Sequence, residues 1–212
     1  MCKIKGILDN LINRYPILKE CQSSIEQSYE ILKTCGTENK MIYTCGNGGS
    51  ASDAEHIVGE LLKGFMNKRP MNKNLAQKFC ENNDKDGKLL SENLQCGIRS
   101  FCLMSQIGIS SAVSNDIGGE FIIAQQLFGL GRKGDVLLAL TTSGNARNIE
   151  LAVKVAHHVG ISVIGLTGKS GGILGTLADV CIKVPEVETY KVQELHLPVY
   201  HALCQMLEVH FF

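Results

Sequence analysis

Apolar residues along this chain follow two rhythms that alternate. From about residue 1 to 35, Ile4, Ile7, Leu8, Leu11 and Ile12, then Leu18 and Leu32, recur at helical intervals. Pro16 interrupts them, which predicts two helices or one kinked helix. The rhythm then changes to short apolar runs. Met41-Ile42-Tyr43-Thr44-Cys45 stops at Gly46-Asn47-Gly48-Gly49-Ser50, and a helical pattern follows to about Phe65. The order repeats in Val136-Leu137-Leu138-Ala139-Leu140, then Thr141-Thr142-Ser143-Gly144-Asn145, then an amphipathic stretch carrying Ile149, Leu151, Ala152, Val155 and Ala156. It repeats again in residues 161–166, where Thr167-Gly168-Lys169-Ser170-Gly171-Gly172 leads through a short helix to the strand 180–184. Strand, loop and helix in this alternation predict an α/β domain with a parallel sheet covered on both faces.

Two segments stand apart. Residues 190–212 place Val192, Leu195, Val199, Leu203, Met206 and Leu207 on one stripe, a closing helix in which Pro198 predicts a kink or a late start. Residues 71–100 break the pattern, and Asn-Asn-Asp-Lys-Asp-Gly at 82–87 marks a polar turn, so this segment reads as an insertion with an exposed tip. The expected organisation is one domain over 1–212, with an N-terminal helical segment over 1–37.

Composition narrows the function. Lys plus Arg equals Asp plus Glu at 21 each, so no overall field draws the chain to nucleic acid or an anionic membrane. Nine scattered cysteines without a CxxC pair or metal-ligand spacing fit reduced thiols. No basic-then-apolar leader and no membrane-length apolar run occur, and the expectation is a cytoplasmic protein with intact termini.

Any anion must then be held locally. In a parallel sheet, strand ends deliver loops and helix amino termini to one edge, where free N–H groups and the helix dipole favour negative charge. Thr141, Thr142 and Ser143 bring three hydroxyls to such a loop, Gly144 allows close approach, and Asn145 suits the N-cap of the next helix. That grouping suits a phosphate ester, although an empty strand-to-helix turn uses the same residues. Neither the dinucleotide fingerprint nor the P-loop spacing is met, which argues against nucleotide triphosphate hydrolysis.

Proton-transfer groups lie elsewhere. His56 and Glu60 are four residues apart on one predicted helix and share a face. Gln193 and His201, on the last helix, are separated by about 12 Å of helical rise, so they share a site only if Gln193 leans in or the helix bends. Histidine and carboxylate together can move protons between adjacent carbons and oxygens. Two His, one Glu and one Gln also offer a nitrogen and oxygen set for Zn²⁺, with Gln the weakest member. His157, His158, His196 and His210 read as surface or packing residues.

With these residues in place, the chain resembles the sugar isomerase (SIS) domain family and, within it, the sedoheptulose 7-phosphate isomerases, also called phosphoheptose isomerases. The resemblance rests on CGNGGSASDAEHIVGEL at 45–61, SND at 114–116, GDVLLALTTSGNARNI at 134–149 and VQELHLPVYHAL at 192–203. It implies a flavodoxin- or Rossmann-like three-layer sandwich around a five-stranded parallel sheet. It further implies a homotetramer with sites at subunit interfaces and aldose–ketose isomerisation of a ketose phosphate through an enediol. Glu60 and His201 match the family's acid/base pair, and His56, Glu60, Gln193 and His201 its zinc ligands. Asn47, Gly48, Gly49, Ser50, Asn115 and Asp116 match positions that contact substrate, and Thr141, Thr142 and Ser143 match the phosphate-binding residues.

Three departures stand out: Ala146 in place of a further phosphate-binding serine, Tyr190 in place of an acidic residue, and the insertion. Losing one hydroxyl contact costs roughly 0.5 to 1.5 kcal/mol, and Arg147 is placed to compensate. The competing expectation is a non-catalytic SIS-domain protein that binds a sugar phosphate or a replication initiator. Retention of all four of His56, Glu60, Gln193 and His201 argues against it.

Overall fold

In Val136–Leu140 every residue is buried, and successive side chains enter opposite cores. Leu138 and Leu140 pack with the first core, Leu137 and Ala139 with the second, as the period of two of a strand requires. A strand covered on both faces needs helices above and below, and the computed structural model, which describes residues 2–82 and 85–212, has that arrangement.

Five strands form one sheet: β1 (Ile42–Cys45), β2 (Ser100–Cys102), β3 (Val136–Leu140), β4 (Ser162–Thr167) and β5 (Val180–Lys183), in the order β2-β1-β3-β4-β5. All neighbours are parallel, with Ile42 opposite both Ser100 and Val136, Val136 opposite Ser162, and Ile164 opposite Val180. Four of these strands follow the apolar runs in the sequence. Only the resemblance anticipates the fifth, because β2 is three residues long and carries no readable period.

One face is covered by α1 (Cys2–Arg14), α2 (Gln22–Thr37), α3 (Gly49–Leu62) and α10 (Thr189–Phe211), and the core there joins Leu8, Ile25, Ile57, Val199 and Leu203 to the sheet. The other face carries α7 (Ile122–Leu130), α8 (Arg147–Val159) and the short α9 (Leu174–Leu177), through Ile123, Leu127, Ala152, Val153 and Leu174. Before α7 comes α6 (Ile107–Asp116), also without a signal in the apolar pattern. A 3₁₀ turn over Pro16–Cys21 separates α1 from α2, as Pro16 predicts. Pro198 does not delay α10, which is helical from Thr189.

The 71–100 segment forms α4 (Lys73–Asn82) and α5 (Gly87–Asn93), packed on each other, and ends in β2. The expected exposed tip at 82–87 falls partly outside the described residues. At the base of this pair, the Gln95 side-chain oxygen accepts the backbone N–H groups of Gly64 (3.0 Å) and Arg69 (3.3 Å). Among the described residues, no helix is long and apolar enough to cross a membrane.

A buried carboxylate fixes the end of α3 against α10. Glu208 accepts the backbone N–H groups of Phe65 (2.8 Å), Met66 (2.9 Å) and Asn67 (3.1 Å), and pairs with Arg69 Nε at 2.8 Å. Arg69 then donates to the carbonyl oxygens of Leu61 (2.8 Å) and Glu60 (3.0 Å), the last turn of α3. Both side chains of the pair are at most 1% exposed. Burial alone raises a carboxyl pKa, but here the donated N–H bonds and Arg69 outweigh it and hold Glu208 below the usual carboxylate range.

Removing one partner strands a buried charge, so Glu208→Gln is expected to cost about 3 to 5 kcal/mol, read as a lowered urea midpoint with an unchanged slope. A midpoint like that of the parent protein would contradict this role for the carboxylate. A second expectation concerns His196, fully buried beside the backbone of Thr167. Burial pushes its pKa from 6.5 down to about 4. Between those values the unfolded chain binds a proton that the folded protein refuses, so this contribution is complete above pH 6.5 and falls as the pH drops. The loss reaches about 3 kcal/mol, and a stability profile for His196→Leu should be flatter over that range; parallel profiles would refute it.

Candidate active site

Helices α3 and α10 both start at the carboxyl edge of the sheet and lie side by side in the same direction, so equivalent turns meet. At the first meeting point, a Cβ on Gly49 would run into the side-chain amide of Gln193. Lower down, the Tyr200 hydroxyl donates to Asp53 Oδ1 (3.1 Å) and stands 3.1 Å from His56 Nδ1. His56 Nε2 faces Glu60 Oε1 at 3.1 Å. The His201 ring is edge-on to His56, 5.0 Å between centroids, with Phe65 tilted against it at 5.3 Å. His56, Glu60 and His201 are therefore brought together; spacing alone pairs only His56 with Glu60.

Two polar atoms in this trio have no hydrogen bond. Glu60 Oε2 and His201 Nε2 are both enclosed without one, and Lys63 Nζ forms a long ion pair with the former at 4.0 Å. Buried polar groups are normally satisfied, and exceptions concentrate where a ligand completes them. Burial, then the neighbouring His56, lowers the His201 pKa and favours the neutral ring. Burial also pushes the Cys204 thiol up to about 12, so no thiolate chemistry operates beside Glu60.

Gln193 is not part of this trio within one chain. It lies against Gly49, about 12 Å of helical rise from His201, and joins the glycine loop instead. In that loop Gly48 has φ 55°, and Ser50 is buried at the start of α3. The Asn47 side chain exchanges two hydrogen bonds with Asn148, at 3.0 and 2.9 Å, which ties the glycine loop to the first turn of α8.

Thr141, Thr142 and Ser143 pass from buried to exposed as the chain leaves β3. Gly144 has φ 73°, and a Cβ there would collide with the Gly171 carbonyl, so only glycine fits this crossing of two loops. Asn145 is not the N-cap of α8. The helix begins at Arg147 after Ala146, and the Asn145 side-chain oxygen accepts the Ile173 N–H at 3.0 Å, holding the 168–173 loop in place. Arg147 pairs with Glu150 at 2.9 Å, so its charge is partly engaged already. Asn115 and Asp116 end α6, exposed and hydrogen-bonded to each other at 2.7 Å rather than to either cluster.

One chain thus carries two groups of candidate residues. The cradle and the glycine loop sit at the sheet edge with Gln193, and the proton-transfer trio sits two to three turns along α3. Asp53 and Tyr200 are functional candidates that the sequence pattern passed over. Asp53 shares a face with His56 at a spacing of three residues and was detectable; Tyr200 was hidden inside an apolar stripe. The four expected zinc donors fit the ion in chemical type but not in arrangement. His56 Nε2 is engaged with Glu60, Gln193 is remote, and no group of three His, Cys, Asp or Glu among the described residues is arranged to hold a metal.

Comparison with known proteins identifies the family. The SIS domain pattern matches residues 10–86 and again 120–207. The phosphoheptose isomerase of Akkermansia muciniphila is 36% identical over 207 residues, spanning 97% of this chain and 93% of the relative. Among solved structures, phosphoheptose isomerase from Francisella tularensis superposes with a TM-score of 0.75 at 27% identity, covering 97% of this chain and 96% of that one. The enzyme from Neisseria gonorrhoeae gives 0.74 at 27% identity, covering 98% and 97%. By its matched domain and its near full-length kinship, this chain belongs to the phosphoheptose isomerase family of SIS-domain proteins.

Proposed function

We propose that the chain is an aldose–ketose isomerase that converts sedoheptulose 7-phosphate to D-glycero-D-manno-heptose 7-phosphate through an enediol. The observation that carries this reading is the clustering of His56, Glu60 and His201 on facing helices, with Glu60 Oε2 and His201 Nε2 enclosed and without a hydrogen bond. Kinship to proteins named phosphoheptose isomerase over nearly the whole chain supports the substrate.

In this reading one group of the Glu60/His201 pair takes a proton from C1 of the ketose while the other protonates the carbonyl oxygen at C2, which gives the enediol. Return of a proton to C2, with loss of the O1 hydroxyl proton, leaves the aldehyde at C1. Glu60 suits the carbon protons, because a carboxylate with a free oxygen can take and return one. His201 suits the oxygens, because a neutral imidazole both donates and accepts. Thr141, Thr142 and Ser143 hold the terminal phosphate beside the amino end of α8.

The separation of Gln193 and the cradle from the trio supports a homotetramer whose sites combine residues of adjacent copies. Zn²⁺ is proposed on donor chemistry alone, with His56, Glu60, Gln193 and His201 as its ligands. The expected setting is the cytoplasm, with a phosphorylated sugar as substrate and neither nucleic acid nor membrane as partner.

Replacing Glu60 with Gln should lower kcat by at least about 10²-fold while sugar phosphate still binds, as measured by calorimetry. Retained turnover would remove Glu60 from the chemistry. A parent protein that binds sugar phosphate but interconverts no ketose and aldose phosphate would favour a binding module instead.

A further inference from the structure

The glycine loop and the phosphate cradle leave neighbouring strands, and their hydrogen bonds run in different directions. On the cradle side, the Thr142 carbonyl accepts the Gly168 N–H at 3.0 Å and the Gly144 carbonyl accepts the Leu174 N–H at 2.9 Å, so that loop is braced against residues 168–174. The glycine loop closes on itself: the Asn47 carbonyl accepts the Ser50 N–H at 3.1 Å, and the Gly48 carbonyl accepts the Ala51 N–H at 3.0 Å. Among the described residues, the Asn47–Asn148 amide pair is the only hydrogen-bonded link between residues 46–52 and 141–150. The two bonds spend the pair unequally. A carboxamide has two N–H donors and two lone pairs on its oxygen. Asn148 Oδ1 accepts from Asn47 Nδ2 and from the Ile149 N–H, both at 3.0 Å, so its oxygen is saturated and one N–H remains. Asn47 gives one N–H and one lone pair to Asn148 and keeps one of each. Asn47 is exposed and Asn148 half-buried, so the outer residue keeps both kinds of bond for a ligand while the inner one holds it in place.

We propose that Asn148 is a positioning residue that holds Asn47 to read a hydroxyl on the carbon chain of a phosphorylated sugar, while the cradle holds the phosphate. Asn148 acts through Asn47, and the placement of the sugar rests on the function proposed above. A hydroxyl is the group this arrangement suits, because it donates and accepts at once, whereas a phosphate dianion only accepts. A side chain already fixed in its bound orientation need not be ordered by the ligand, which for one such group raises affinity about 3- to 10-fold. Without Asn148, the glycine loop and the cradle are joined only through the pairing of β1 with β3, and the Asn47 side chain is free to turn away.

Titration calorimetry of the full chain with sedoheptulose 7-phosphate and, separately, with inorganic phosphate tests this role. Asn148→Ala should weaken sedoheptulose 7-phosphate binding about 3- to 10-fold and leave inorganic phosphate binding unchanged. Asn47→Ala should weaken the sugar phosphate at least as much. The double variant should bind no worse than Asn47→Ala alone, because Asn148 then has nothing left to hold. Asn148→Ala that binds the sugar phosphate as the parent does, or that loses inorganic phosphate by the same factor, would overturn the proposal, as would additive losses in the double variant. A parent protein that binds sedoheptulose 7-phosphate more tightly than inorganic phosphate but does not isomerise it, with the variants behaving as expected, would instead contradict the proposed reaction and leave the positioning role standing.

Discussion

The side-by-side pairing of α3 and α10 is the constraint on which the rest of the molecule depends. It is set at the lower end by Glu208, whose carboxylate accepts three consecutive backbone N–H groups after α3, and by Arg69, which returns two bonds to the carbonyls of Glu60 and Leu61. At the upper end, Gly49 lets the Gln193 side chain lie directly on the first turn of α3. Pinned at both ends, the two helices have no freedom to slide. His56 and Glu60 on one therefore face Tyr200 and His201 on the other. A buried ion pair adds little net stability when compared with apolar packing, so its value here is in geometry: it ties the backbone of Glu60 to the opposite helix.

Much of this could be read from the sequence, and the exceptions have physical causes. Buried runs such as Val136–Leu140, each ending at a Gly, Ser or Thr loop, announce parallel strands, and the i, i+4 spacing of His56 and Glu60 places them on one face. β2 could not be seen because three residues hold no period, and α6 because its apolar residues do not form a stripe: Ile107 and Ile109 are exposed while Val113 is buried. Asn145 looked like an N-cap by residue type, yet its oxygen serves a neighbouring loop, a tertiary contact that local pattern cannot reveal. The same limit applies to Arg69, whose burial is evident only once Glu208, far along the chain, is beside it.

Within one chain the motif-matched residues fall into two groups. Thr141–Ser143 and the glycine loop are joined through the Asn47–Asn148 amide pair, and Gln193 sits with them. His56, Glu60 and His201 form their own cluster further along α3 and α10, where burial lowers the His201 pKa and Glu60 Oε2 has no hydrogen bond. Anchoring a phosphate needs exposed N–H groups and hydroxyls at a helix start. The two clusters sit at different positions along α3 and α10, and the proposed assembly of copies is what would bring them to one substrate.

The central claim is that the residues brought together by α3 and α10 move a proton between adjacent carbons of a ketose phosphate. Its most direct measurement is proton NMR of the purified protein with sedoheptulose 7-phosphate in D₂O, with Zn²⁺ supplied. The account predicts an aldose 7-phosphate that carries solvent deuterium at C2, the position reprotonated from the enediol. No aldose product, with or without the added ion, would contradict it.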